Sequence, residues 1–254
     1  MHTSADPIGV FDSGVGGIST LKETVQLLPF EDFIYYGDTA NAPYGTKSAD
    51  EVMHCVRNVL KRLMTENIKA LMIACNTATS VAAATLRQEL SIPVIGIEPA
   101  LKPASLARKD GNILVLATPV TLALPKFQLL MGQYGEGAIP VPCPGLMDLV
   151  EQRDTEGCRT YLRKLFEQYD PEKTDAVVLG CTHYVFLRDM LEKMLPQRIM
   201  IADGNLGTAR QLQRILEQNG LKRTEGHGSV QFLTSGSEEQ VAVMKEFFSK
   251  KLFL

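Results

Sequence analysis

Nine short apolar runs, separated by helical stretches and bounded by Gly, Pro or Asp, constrain this chain more than any other feature. They are Ile8–Phe11, Phe33–Tyr36, Ala70–Ala74, Pro93–Ile97, Ile113–Ala117, Ala138–Val141, Ala176–Gly180, Arg198–Ala202 and Val230–Leu233. Most are continuous Val, Ile and Leu rather than alternating apolar and polar residues, as expected of strands covered on both faces. Such strands belong to parallel sheets with crossover helices on either side, so the chain reads as α/β. Segment 50–64 shows the helical period: Val52, Cys55, Val56, Val59, Leu60 and Leu63 recur at three- and four-residue spacing, with Arg57, Lys61 and Arg62 opposite. Cys55 therefore reads as a core residue. A last helix is expected to start at Ser237, which has capping-box spacing to Gln240, and to run to about Lys251.

The order of the runs repeats. An offset of 105 or 106 residues lays Ile8–Ser13 on Ile113–Thr118, Phe33–Tyr36 on Ile139–Pro142 and Ala70–Asn76 on Ala176–Thr182, with Pro93–Ile97 near Ile199–Ala202. Apolar strands of unrelated α/β segments can also be superposed in this way, but four in one order, twice, favour a duplication. The 254 residues suit two domains of ordinary size. The expectation is two pseudo-symmetric α/β domains, each a mainly parallel sheet flanked by helices, with the active site in the cleft between them. The first would span 1–97 and be completed by 207–254, and the second would span 98–206.

With 26 basic against 29 acidic residues and a net charge of −3, the chain lacks the basic field that phosphate-backbone binding needs, which argues against nucleic acid as a principal partner. No window approaches a membrane span, and the opening residues carry no apolar signal core, so a cytoplasmic location and no membrane partner are expected. The five cysteines, at 55, 75, 143, 158 and 181, are odd in number and show no CxxC spacing. A disulfide framework and a zinc site are both poor readings, and no metal is expected.

Two of these cysteines stand apart. Cys75 and Cys181 each follow an apolar strand and precede small polar residues, Asn76–Thr77 and Thr182–His183, at repeated positions. Ligands of open parallel sheets bind beyond the carboxyl ends of the strands, and a helix beginning there would lower a thiol's pKa. Two thiols facing one cleft suit racemisation, in which a thiolate removes a Cα proton from one face and a thiol returns one to the other. His183 is a candidate base for Cys181. Asp12, Ser13, Asp38, Tyr44, Gly45, Thr118 and Thr121 also follow strands, where they would hold a zwitterion or serve as turn formers and caps. Gly14–Gly17 is not a phosphate loop, since Ser19 stands where a third glycine is needed; its glycines suit close backbone approach.

The ordered set Phe11–Gly17, Tyr36–Ala40 with Pro43–Gly45, Ala74–Ala78, Gly96–Pro99, Ala117–Thr118 with Thr121, Cys143–Pro144 leading to Leu149–Glu151, and Gly180–Tyr184 resembles the glutamate racemases of the aspartate/glutamate racemase superfamily over nearly the whole chain. The resemblance implies interconversion of L- and D-glutamate without pyridoxal phosphate or metal, hence no cofactor, supplying D-glutamate for peptidoglycan. It also implies a homodimer. It makes Cys75 and Cys181 the acid/base pair, Asp12 the assistant at Cys75 and His183 the assistant at Cys181, with Asp38 and Glu151 as further acid/base or electrostatic candidates. Asp12, Ser13, Tyr44, Gly45, Asn76, Thr77, Thr118, Thr121, Thr182 and His183 would bind substrate. Asn41, Leu124, Phe127 and Val185 depart from the family's usual residues. A racemase of aspartate shares the two-thiol logic, and a two-domain solute-binding module is the alternative from outside enzymology.

Overall fold

A computed structural model of the chain describes residues 2–250 and 253. All nine apolar runs form strands: β1 (Ile8–Asp12), β2 (Phe33–Gly37), β3 (Ala70–Ile73), β4 (Val94–Gly96), β5 (Asn112–Ala117), β6 (Ala138–Pro142), β7 (Thr174–Leu179), β8 (Met200–Asp203) and β9 (Val230–Thr234). The helices are α1 (Ile18–Leu27), α2 (Ala49–Met64), α3 (Asn76–Glu89), α4 (Leu101–Ala107), α5 (Pro119–Ala123), α6 (Pro125–Tyr134), α7 (Leu146–Glu151), α8 (Thr155–Phe166), α9 (Arg188–Met194), α10 (Asn205–Gln218) and α11 (Glu238–Ser249). The last helix starts where its capping signal places it; Lys251, where it was expected to end, lies outside the described residues. Among the described residues no helix is long and apolar enough to cross a membrane.

The chain divides into two compact units. One is built from residues up to Glu98 together with Asn205–Lys250, the other from Pro99–Gly204. The first holds a five-stranded sheet in the order β4-β3-β1-β2-β9, the second a four-stranded sheet in the order β6-β5-β7-β8. Every strand pair is parallel. The order β4-β3-β1-β2 in one sheet matches β8-β7-β5-β6 in the other.

Burial explains the composition of the strands. All five residues of β1 and of β2 are buried, because helices cover both faces and leave no solvent side for alternation to mark. β6 contains Pro140 and Pro142 and lies at an edge of its sheet, where a missing N–H breaks no interior ladder. The helix α2 buries Val52, Cys55, Val56, Val59, Leu60 and Leu63 and turns its charges outward. Its ends are fixed by local chemistry. Ser48 Oγ accepts the Glu51 N–H while Glu51 Oε2 accepts the Ser48 N–H, and Lys61 and Arg62 lie in the last turn, where cations favour the helix dipole.

The return of the chain into the first unit adds α10, β9 and α11. Thr20 Oγ1 donates to Asn205 Oδ1 at 2.8 Å across the α1–α10 contact, and β9 pairs with β2 from Phe33↔Val230 to Gly37↔Thr234. Near the amino ends of the strands lies an ion pair with no exposed side-chain surface, Lys69 Nζ to Glu31 Oε2 at 2.5 Å. Lys69 also donates to Ser4 O, and Glu31 Oε1 accepts the Arg223 N–H, so one buried pair ties the chain's start, β2, β3 and the returning segment. Removing one member strands the other charge without water. Lys69→Met is therefore expected to destabilise the protein by about 3–5 kcal/mol, read as a lowered denaturation midpoint in urea; an unchanged midpoint would show that the pair is not what holds this end together.

Candidate active site

The strand orders decide where polar groups gather. From β1 the chain adds β2 on one side and then β3 on the other; from β5 it adds β6 on one side and β7 on the other. Loops leaving the carboxyl ends of β1 and β3, and of β5 and β7, therefore run apart, and ligands of α/β sheets bind at such switch points. Cys75 follows β3 and Cys181 follows β7.

In the first unit, Asp12 is fully buried and its Oδ1 accepts the Gly14 N–H at 2.8 Å, which bends the chain back at the strand end. Ser13 Oγ then lies 3.7 Å from Cys75 Sγ. Cys75 is the N-cap of α3, and its sulfur accepts the Ala78 N–H at 3.5 Å. A helix start and a hydroxyl thus converge on a sulfur positioned to carry negative charge. A Cβ on Gly17 would fall 2.6 Å from Asp12 Cβ and 2.9 Å from Ala74 Cβ, so glycine there lets α1 begin directly against both strand ends.

Asn76 and Thr77 open α3 and are both buried. Asn76 Oδ1 has no hydrogen-bond partner among the described residues. A buried acceptor left unmet costs about 1–3 kcal/mol, which a ligand's donor would remove. After β2, Asp38 Oδ2 accepts the Tyr44 hydroxyl at 2.5 Å and Oδ1 accepts the Asn41 amide at 2.9 Å. Tyr44 is buried against Phe11, with ring centroids 6.1 Å apart. Burial, then the hydrogen bond to Asp38 and the charge of that carboxylate, push the Tyr44 phenol far above its usual range and keep it a donor. Both oxygens of Asp38 hold the loop that carries Tyr44 and Gly45.

In the second unit, Thr118 caps α5: its Oγ1 accepts the Thr121 N–H at 3.2 Å and donates to Thr121 Oγ1 at 2.9 Å. Cys181 Sγ lies 3.8 Å from His183 Nδ1, and His183 Nε2 lies 2.9 Å from Glu151 Oε1 at the end of α7. Burial alone would lower the pKa of the enclosed imidazole. Hydrogen bonds to Cys181 and Glu151, together with their charges, outweigh that and hold it well above its usual 6.5. The arrangement favours an imidazolium between the Cys181 sulfur and the Glu151 carboxylate.

Helical entry differs between the two cysteines. Cys181 leads into a six-residue 3-10 helix, Thr182–Leu187, and its sulfur accepts no capping N–H. The run Thr-His-Tyr-Val-Phe is made of β-branched and aromatic residues of low helix propensity, and His183 is committed to the sulfur beside it. Burial raises the other three thiols: Cys55 moves up, Cys143 is pushed to about 12 and Cys158 to about 11. Sequence reasoning did not find Tyr161, hydrogen-bonded to Cys143, or the hydroxyl and amide groups that hold the loop after β2. Among the described residues, no group of three or more His, Cys, Asp or Glu is placed to hold a metal.

Two parallel sheets, each with a cysteine at its switch point, define an α/β protein with a pair of thiol centres. Residues 8–212 match the Asp/Glu/Hydantoin racemase family, and the chain belongs to it. It is 48% identical over 246 residues to a glutamate racemase from Clostridium botulinum (strain Kyoto / Type A2), covering 95% of this chain and 96% of that protein. Among solved structures it is similar to the glutamate racemase from Thermus thermophilus in complex with beta-chloro-D-alanine, with a TM-score of 0.80 and 33% identity, covering 99% of this chain and 96% of that one. It is also similar to the Escherichia coli glutamate racemase in complex with L-glutamate and the activator UDP-MurNAc-ala, with a TM-score of 0.82 and 28% identity over 95% of each chain.

The His183 arrangement has a pH signature. Because its folded pKa is raised, the stability it contributes is complete below the unfolded value near 6.5 and is lost as pH rises through the folded value. NMR titration of labelled histidine is expected to find His183 still protonated above 6.5, with Glu151→Gln moving the transition down. Glu151→Gln should also cost most stability near 6.5 and least at alkaline pH, and a deficit that grows with pH would contradict the assignment.

Proposed function

We propose that this chain is a glutamate racemase that interconverts L- and D-glutamate by a two-base mechanism, with Cys75 and Cys181 as the acid/base pair and without pyridoxal phosphate or metal. The observation that carries this reading is the equivalent placement of both thiols, each just beyond the strand at the switch point of a sheet of the same order. Family membership and relatives named glutamate racemase support the substrate.

In the proposed reaction the two units act as domains, and the thiols address opposite faces of one Cα. A thiolate takes the Cα proton, forming its S–H bond while the C–H electron pair passes into the carboxylate as an enediolate. The opposite thiol then gives its proton to the other face of Cα and is left as thiolate. Atoms and charge balance, and reversal of the roles serves the other enantiomer. Asp12 assists at Cys75, and His183, backed by Glu151, assists at Cys181. Asn76 supplies its unmet acceptor to the substrate ammonium, while Ser13, Thr77, Thr118, Thr121, Thr182 and the backbone at Tyr44–Gly45 take the carboxylates. Asp38 serves this site through Tyr44. The reading extends to a homodimer in a bacterial cytoplasm that supplies D-glutamate for peptidoglycan.

Cys75→Ser and Cys181→Ser each retain approximate volume and lose an acidic thiol, so each is expected to lower racemisation by roughly 10²–10⁴-fold or more with an unchanged far-ultraviolet spectrum. Loss of optical rotation from L-glutamate measures turnover, and uptake of deuterium at Cα from D₂O reports proton removal. Near-normal turnover in either variant rules out the two-thiol scheme. Activity on L-aspartate alone replaces the substrate, and absence of any exchange in the unsubstituted protein leaves a binding module.

A further inference from the structure

The loop after β2 is gripped from two sides, and only the inner grip, through Asp38, belongs to the machinery described above. On the outer side stand three half-buried residues brought together from distant parts of the chain: Thr39, Thr234 at the end of β9, and Gln240 in the first turn of α11. Thr39 Oγ1 donates to Gln240 Oε1 at 2.5 Å. Having one proton to give, it must accept from Thr234 Oγ1, which lies 2.6 Å away. Thr234 in turn accepts the Gly236 N–H at 3.0 Å, and Gln240 Oε1 also accepts the Ser237 N–H at 3.1 Å. The result is a directed chain, from the Gly236 amide through two hydroxyls to the Gln240 carbonyl oxygen, with each group satisfied. Two further bonds flank it: the Ala40 N–H donates to Ser235 Oγ at 3.1 Å and the Ser235 N–H to Gly37 O at 3.3 Å.

Gly236 makes room for this cluster. A Cβ there would fall 1.6 Å from Gln240 Oε1 and 2.6 Å from Thr39 Oγ1, so any side chain displaces the same two atoms that close the latch. Thr39 is adjacent to Asp38 in sequence, and Asp38 holds Tyr44, which is buried in the same packed cluster as Cys75. A hydrogen-bond chain therefore runs from the start of α11 to the segment that flanks the Cys75 thiol.

We propose that Thr39, Thr234 and Gln240 are positioning residues, through which the returning C-terminal segment fixes the Asp38–Gly45 loop for substrate. Its kinetic consequence rests on the racemase reading; its structural consequence, protection of Cys75, does not. Thr39→Val removes the central hydroxyl at nearly constant volume, Gln240→Leu removes the terminal acceptor, and Gly236→Ala crowds the cluster without deleting a polar group. Each is expected to raise KM for both enantiomers of glutamate about fivefold or more, the net contribution of one hydrogen bond, with kcat affected less. Thr39→Ser keeps the hydroxyl and should restore KM. Alkylation of native protein by iodoacetamide, followed peptide by peptide, is expected to quicken at Cys75 in the three disruptive variants and stay constant at Cys181. Unchanged KM together with unchanged Cys75 labelling would overturn the proposal, as would a lowered melting temperature with both readouts intact. If the unsubstituted protein does not racemise glutamate, the functional reading fails while the labelling still decides the latch.

Discussion

The structure depends on a central strand being paired in parallel on both sides by strands added in succession. Once β1 has β2 on one flank and β3 on the other, their connections must cover opposite faces of the sheet, and the loops at its carboxyl edge must part between β1 and β3. The same holds for β5 with β6 and β7. Everything reactive is placed by that parting. The strands commit their backbone groups to pairing with their neighbours, so chemistry gathers at and just beyond their carboxyl ends. Asp12, the last residue of β1, and Cys75, beyond β3, occupy those positions in one sheet, and Thr118 and Cys181, beyond β5 and β7, in the other.

Equivalent topology does not produce equivalent electrostatics. At Cys75 the sulfur accepts from the start of a full α-helix and has a serine hydroxyl beside it, so neutral dipoles stand against it. At Cys181 the helix is a 3-10 turn that gives the sulfur no capping bond, and that turn's own buried imidazole, backed by a carboxylate, stands beside it instead. These solutions differ in kind. Dipoles are fixed and do not titrate, whereas an imidazolium carries a proton that can be exchanged, so His183 adds a titrating partner beside Cys181.

What was legible in the sequence follows the range of the forces involved. The strands and α2 are read from local periodicity, because burial on two faces or one stripe imprints itself on neighbouring residues. The significance of Cys75 and Cys181 is read from the repeat, which compares two copies of one local context. Sequence cannot convey contacts between distant residues that have no partner motif. Glu31 and Lys69 look like any surface acid and base until the fold encloses both, and Thr39, Thr234 and Gln240 are 195 and 201 residues apart in their hydrogen bonds. The 3-10 turn after Cys181 fell between these cases. The polar pair Thr182–His183 resembled a helix start, but the commitment of His183 to the sulfur and the low propensity of its neighbours decide otherwise.

The extra strand gives a physical reason why the chain returns to its first unit. Without β9, β2 would be an edge strand, and the segment following it, with Asp38 and Tyr44, would leave an unpaired ladder with nothing beside it. In the second sheet β6 does lie at an edge, and its following loop is secured differently: the Tyr184 hydroxyl, from the turn after Cys181, donates to the Cys143 carbonyl at 3.0 Å, and Tyr161 meets the Cys143 thiol. One loop is thus held from outside by an added strand and helix, the other from within by aromatic hydroxyls. The two sheets of matching order meet a common requirement, a held loop beside each reactive strand end, by means that their different flanking segments make available.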